Sequence, residues 1–384
     1  MKSIECMSKR LPFFRNLIIF LMPFVIAFLL LTSGLIYIGE SMPLQIVAWM
    51  QQSDLPILFR PGFGNRDQQF KRISVDTQQP AVMVLGSSRV LQFRAHFLTQ
   101  NPGAFYNAAA PAWQLPEIEQ LLKTINHQPE IIVLGVDAPW FNDAYEGDPI
   151  IEPPSTMWER LFVVNRTFLQ ERLEGKEIDI QQALARVEPG GSGGIALGGR
   201  AIRDGHGFRN DGSEQYGDFL VAQHLWQPNM RGHHRGLFHD GEDMYVPGQI
   251  VSQESMQQMR DILAYAQEQD ILLIGFMPPY MPSLWEAMRG DPRFAYIADL
   301  IPQLETLFAE FGYPFFDYSD GRLLGATDED FFDGWHHSER IAAQLFINMA
   351  RDVPQLAQYS DLDALQEIVN SASDTFRVFG FIAQ

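Results

Sequence analysis

A chain of 384 residues, 46% hydrophobic and 20% charged, can bury the core of one large α/β domain or two ordinary ones, which excludes disorder and small stapled scaffolds. Its 47 acidic residues against 28 Lys and Arg give a formal charge of -19, which repels a phosphate backbone and removes nucleic acid from the partners. The single cysteine, Cys6, excludes an internal disulfide, a cysteine zinc site and dithiol redox chemistry.

The first sixteen residues carry Lys2, Lys9, Arg10 and Arg15 against Glu5, and no charge follows from Leu17 to Ile38. At about 1.5 Å per residue this stretch covers the ~30 Å hydrocarbon core of a bilayer, which predicts a transmembrane helix over 17–38. A signal peptide has a shorter apolar core and a small-x-small cleavage site; this run is long and exits through Tyr37-Ile38-Gly39-Glu40, as an uncleaved anchor does. The basic flank keeps residues 1–16 in the cytoplasm. The expectation is a single-pass protein of the bacterial inner membrane with its main domain periplasmic or extracellular. Pro23 is tolerable in such a helix.

Residues 41–79, broken by Pro43, Pro56, Pro61, Gly62 and Gly64, read as a membrane-proximal lead-in. Short continuous apolar runs then appear at Ala81–Leu85, Ile131–Leu134 and Ile271–Phe276, the pattern of strands buried on both faces of a parallel sheet. Helical stretches at 116–126 and 252–269 precede the second and third of these, so the units are βαβ. The theme continues with a helix around 294–311, a strand at 314–318 and a helix over 338–351. Residues 144–250 break the rhythm with the glycine run 190–194, Gly198-Gly199 and a His-, Gly- and aromatic-rich stretch from 205 to 241. An aperiodic region this long predicts a cap or substrate-facing insertion. The tail, 353–384, holds a helix at 362–371 and an apolar end, Phe376–Ile382.

The first apolar run ends in Gly86-Ser87-Ser88-Arg89. Functional crevices of open α/β sheets lie at the carboxyl ends of strands, where such a turn presents a hydroxyl and a helix N-terminus together. A serine there is either a nucleophile or the cap of the next helix. Near the C-terminus stands Asp333-Gly334-Trp335-His336-His337-Ser338-Glu339, which supplies the imidazole base and orienting carboxylate that a serine needs. Its other reading is a solvated helix start at Ser338-Glu339.

In order along the chain, Gly86-Ser87-Ser88, Tyr106-Asn107-Ala108-Ala109-Ala110-Pro111-Ala112, Gly135-Val136-Asp137 and Asp333-Gly334-Trp335-His336 resemble the four blocks of the SGNH (GDSL-like) hydrolases. The resemblance covers residues 80–352 apart from the insertion. It implies a flavodoxin-like three-layer α/β/α sandwich with a parallel sheet, Ser88 as nucleophile, His336 as base and Asp333 as orienter. The family's oxyanion positions map to the N–H of Ser88, to Ala112 in place of a glycine, and to Asp137 in place of an asparagine. An ionised carboxylate cannot donate to an oxyanion, so Asp137 is protonated, turned away or otherwise employed. Ser87 is the alternative nucleophile.

The anchor makes the layout similar to the membrane-anchored extracytoplasmic branch, the alginate O-acetylation proteins and the D-alanyl-lipoteichoic acid biosynthesis protein. That resemblance implies a serine esterase or O-acyltransferase on acyl esters of a cell-surface or exported polysaccharide, beside a multi-spanning membrane acyltransferase. The alternative is a non-catalytic polysaccharide-binding or assembly subunit on a degenerate SGNH fold, which Asp137 favours. Candidate substrate-binding residues are Arg89, Arg209, Tyr216 and Trp140, with Trp226 as a second stacking surface; Arg89 also reads as an exposed salt-bridge partner. The Met277–Pro282 stretch is expected at the crevice. His233-His234 and His239-Asp240 fit no metal motif, so neither metal nor organic cofactor is expected.

Overall fold

Aliphatic runs covered on both faces must be buried at every position, and Val82–Leu85 and Ile131–Gly135 are. The computed structural model describes residues 2–64, 66–145, 147, 157–175, 178–187, 194–217 and 226–379, with side chains omitted for 2–13 and 226–230. The glycines at 190–193, the Trp226 side chain and residues 380–382 lie outside the described residues. Nine strands are described: β1 Ile57–Phe59, β2 Val82–Leu85, β3 Phe105–Asn107, β4 Ile131–Gly135, β5 Ile195–Leu197, β6 Gly207–Phe208, β7 Glu214–Gln215, β8 Leu272–Met277 and β9 Phe315–Asp317.

Five of them form an all-parallel sheet in the order β3-β2-β4-β8-β9. The chain steps from β2 outward to β3, then returns to the other side of β2 for β4. The carboxyl ends of β2 and β4 therefore flank the switch point, where open α/β sheets leave a crevice. Helices Leu115–Thr124, Gln253–Glu268, Ala295–Glu310 and Glu339–Asp352 connect or follow these strands and bury their apolar sides in one continuous core. In the tail, the helix Leu362–Ser371 packs on Glu339–Asp352, and the Phe379 N–H donates to Glu339 Oε2 at 3.0 Å.

The N-terminal helix runs unbroken from Lys2 to Tyr37 through Pro23. Its segment Phe14–Tyr37, 24 residues, is long and apolar enough to cross a membrane, and only 6% of its most apolar window is buried against the rest of the chain.

The lead-in and the insertion are not separate pieces. β1 from the first pairs with β5 in parallel and with β6 in antiparallel fashion from the second, giving a four-stranded sheet β5-β1-β6-β7. Strands of two or three residues carry no detectable period, so pattern alone does not find them. Leu35 and Ile38, at the end of the N-terminal helix, pack into this sheet with Leu58, Phe63 and Ala196. The adjoining Glu40 carboxylate is buried and accepts N–H bonds from Gly62, Phe63 and Gly199 at 2.7–2.8 Å. Burial pushes its carboxyl up, and those three donors oppose the shift.

Charge ties the small sheet to the large one. Arg60 pairs with Asp67 at 3.0 Å and with Glu214, which also bonds His206 Nε2 at 2.7 Å. Fully buried Lys71 donates to the carbonyls of Asn107, at 2.8 Å, and Gly212, with its ammonium 4.0 Å from the Phe208 ring centre. Desolvation pulls that ammonium down to about 7.

Candidate active site

β2 gives way to Gly86, whose φ of +144° is closed to L side chains; a Cβ there would also stand 3.0 Å from the Gly135 carbonyl oxygen. Glycine lets the turn pass against the end of β4. Ser87 then caps the 3₁₀ turn Ser88–Val90, its Oγ accepting the Arg89 N–H at 3.2 Å and donating to Asp137 Oδ2 at 2.5 Å. The capping reading thus falls to Ser87. Ser88, half-buried, turns the other way, its Oγ 2.8 Å from His336 Nε2.

The partner segment is equally divided. Asp333 Oδ2 lies 2.8 Å from His336 Nδ1, and Oδ1 accepts the N–H groups of Trp335 and His336 at 2.6 and 2.7 Å, which pins the turn. Ser338 caps helix Glu339–Asp352 through the Ile341 N–H. Asp-x-x-His and helix start coexist on neighbouring residues.

Burial alone would raise the Asp333 carboxyl, but His336 and His234 hold it well below the usual carboxylate range. For His336, burial disfavours the charged ring; Asp333 outweighs that and raises the imidazole above 6.5. His234 comes from the insertion. Its Nε2 is 3.4 Å from Asp333 Oδ2, and its Nδ1 accepts from the Tyr245 hydroxyl at 3.0 Å. Gly334 makes room for this contact, since a Cβ there would lie 2.9 Å from His234 Cβ. The sequence singled out His234 only as a metal candidate and Tyr245 not at all, because Asp333, which His234 meets, is remote in sequence.

At the switch point Asp137 follows the third of its readings and is otherwise employed, while the reading of Arg89 is corrected. Asp137 donates nothing: one oxygen takes the Ser87 hydroxyl and the other the Arg89 guanidinium at 3.1 Å. Arg89 is neither exposed nor available to substrate. It is 1% exposed, donates to the carbonyls of Pro278 and Pro279 at 2.8 and 2.7 Å, and stacks between Tyr280 and Trp335 with ring centres 4.4 and 4.2 Å away. Desolvation makes each ion of this pair dependent on the other.

Ala112 stands where the oxyanion glycine was expected and keeps a glycine backbone, φ +60°. Its N–H has no acceptor among the described residues. A left-handed alanine costs about 1–2 kcal/mol, of which glycine's greater unfolded-state freedom returns roughly half. Ala112→Gly is therefore expected to stabilise the full chain in detergent by about 0.5–1 kcal/mol. A thermal unfolding midpoint equal to or below that of the parent would contradict the strain.

Ser88, His336 and Ala112 open onto a cleft of about 210 Å³ walled by Trp113, Trp140, Tyr145 and Trp335. Asp243 and Met244 bring the insertion to its rim. Trp140 is thus where the sequence placed it. Tyr216, expected to bind substrate, is not in the cleft lining; it stacks on Phe332 with centroids 5.6 Å apart and stands edge-on to His336 at 6.4 Å. Arg209 is a correction: it is buried outside the cleft lining, donating to Ser213 Oγ and the Glu214 carbonyl at 3.1 and 2.7 Å. The turn-rich 207–217 segment is tied to distant parts of the chain instead, Asp211 to Arg94 and Glu214 to Arg60.

Among the described residues no cluster of three His, Cys, Asp or Glu side chains is arranged to hold a metal ion. His239 bonds its neighbour Asp240, and His234 serves Asp333. Compared with known proteins, the chain matches no family model, no curated protein and no solved structure.

Proposed function

We propose that this chain is a membrane-anchored, extracytoplasmic serine esterase or O-acyltransferase of the SGNH (GDSL-like) type, on a flavodoxin-like α/β/α sandwich. The observation that carries the reading is the hydrogen-bond chain Ser88 Oγ, His336 Nε2, His336 Nδ1, Asp333 Oδ2, with both links at 2.8 Å. Its position supports it further, since the nucleophile stands at the switch point of a sheet whose strands run 2-1-3-4-5.

Ser88 Oγ attacks the acyl carbonyl as His336 Nε2 takes its proton, and Asp333 stabilises the imidazolium. The oxyanion meets the N–H groups of Ser88, the first residue of its turn, and of Ala112. The ester C–O bond then breaks, and the leaving alkoxide takes the proton from His336. Water or a sugar hydroxyl attacks the acyl-Ser88 in the same way, and Ser88 regains its proton. The scheme uses no metal or organic cofactor. The aromatic cleft suits a sugar face, and the acyl esters of an exported or cell-surface polysaccharide are the proposed substrate, with a multi-spanning membrane acyltransferase as donor-side partner and the domain on the periplasmic or outer side of a bacterial inner membrane.

One observation favours a second reading. With Asp137 committed to Arg89, the third oxyanion donor is missing, as in a polysaccharide-binding or assembly subunit that has lost catalysis. A fluorophosphonate probe separates the two: the enzyme labels in wild type and Ser87→Ala but not in Ser88→Ala, whereas a binding subunit leaves wild type unlabelled.

The raised His336 sets the pH dependence. The reaction needs a neutral imidazole, so kcat/KM for ester hydrolysis falls as pH drops through the folded-state value, which lies above 6.5. Asp333→Asn removes the group that raises it and moves the acid limb downward. An acid limb unmoved by Asp333→Asn would take His336 out of the rate.

A further inference from the structure

Helix Met157–Leu173 lies against the N-terminal helix: Asn165 Nδ2 donates to Thr32 Oγ1 at 3.1 Å, with both side chains buried. Thr32 belongs to the apolar span and sits about 7.5 Å along the helix from its end at Tyr37. The short helix Ile180–Ala185 joins at that end, its Leu184 carbonyl accepting the Tyr37 hydroxyl at 2.9 Å while Arg186 covers the Tyr37 ring at 3.9 Å. The insertion therefore reaches down alongside the span rather than stopping above it.

The outward side of these two helices carries a row of exposed apolar side chains among polar ones. Trp158, Phe162, Leu169 and Leu173 recur at helical spacing on one stripe of the first, and Ile180 and Leu184 project from the second, all 50–90% exposed. Exposed Arg166 lies beside the stripe, long enough to reach headgroups while its stem stays apolar. An isolated apolar side chain on a surface needs no explanation, but a stripe touching a span that is itself unburied does.

We infer that helices 157–173 and 180–185 form a lipid-facing collar, seated in the bilayer leaflet at the Tyr37 end of the span and holding the catalytic domain at a fixed attitude to the membrane. The inference rests on Phe14–Tyr37 crossing the membrane. Three features single out lipid as the occupant: contact of the same helix with the span at the depth of Thr32, exposure of both the stripe and the span, and a tryptophan in the stripe, the residue type enriched at headgroup level.

The lone cysteine makes the test direct. Full-length chain carrying Cys6→Ser and one new cysteine, Trp158→Cys, Leu169→Cys, Leu30→Cys or Asp363→Cys, is labelled with an environment-sensitive fluorophore. It is then reconstituted in vesicles of equal parts phosphatidylethanolamine and phosphatidylglycerol with nitroxide-labelled acyl chains. All four sites are exposed in the isolated chain, so each substitution is compatible with folding. Probes at 158 and 169 are expected to be blue-shifted and quenched several-fold more than the probe at 363, with Leu30→Cys quenched as the control within the span. Quenching at 30 with 158 and 169 behaving like 363 overturns the collar and leaves the anchor intact. Blue-shifted but unquenched probes at 158 and 169 mean a protein occupant and also overturn it. No quenching at any site overturns the anchor and the collar together.

Discussion

If the chain is the serine esterase proposed above, Ser88→Ala and His336→Ala are each expected to lower kcat/KM for p-nitrophenyl acetate hydrolysis by about 10⁴–10⁶-fold, with the double variant no worse than the single ones. The size follows from the geometry. A serine hydroxyl is a weak nucleophile unless a base takes its proton during attack, and only His336 lies within hydrogen-bond reach of Ser88 Oγ among the described side chains. Removing either partner removes the same step, so the losses do not add. Ser87→Ala behaves differently, losing a cap and one bond to Asp137 while the triad remains. Equal rates for wild type and Ser88→Ala would remove this serine from the chemistry, and a collapse confined to Ser87→Ala would move the nucleophile one residue back.

The second large effect is on folding. Arg89→Ala is expected to destabilise the chain by about 3–5 kcal/mol, because it leaves the buried Asp137 carboxylate with one hydroxyl donor and no counter-charge. Removing both ions with Arg89→Met and Asp137→Leu should recover much of that loss, since the uncompensated charge is gone. Arg89→Lys should not, because a single ammonium cannot reach a carboxylate, two carbonyls and two aromatic faces together. Denaturant unfolding of the four proteins decides it. A cost below about 1 kcal/mol for Arg89→Ala would mean that water, rather than the guanidinium, compensates Asp137. Arg89 also props Trp335, the residue before the base, so lost activity is expected to accompany lost stability.

Strands β2, β4 and β8 were legible because parallel strands covered on both faces are written as unbroken aliphatic runs. The helices beside them were legible to within a few residues through caps and amphipathic spacing. The small sheet was not, since its strands are too short for a period and their partners are remote in sequence. The same division runs through the site. Ser88, Asp333 and His336 each had a second local reading, as cap or helix start, and were brought together only by the resemblance of the four blocks; the structure places the three side chains within hydrogen-bond reach. Arg89 and Arg209 misled, because a charged residue reads as exposed until the carboxylates and carbonyls that pay for its burial are in view.

The joining of the lead-in to the insertion has a consequence for the order of events during synthesis. Glu214, which neutralises Arg60, lies 154 residues further along the chain. Asp67 is made almost with Arg60, but at about 5–20 residues per second roughly 8–30 s pass before the second carboxylate of the pair exists. Ile57-Leu58-Phe59 gains its strand neighbours only when residues 195–197 and 207–208 are made, and Lys71 waits likewise for the Gly212 carbonyl. The first part of the domain to be made therefore waits on the insertion: completion of Gln215 sets the earliest moment at which the small sheet can close, and the large sheet waits for Asp317.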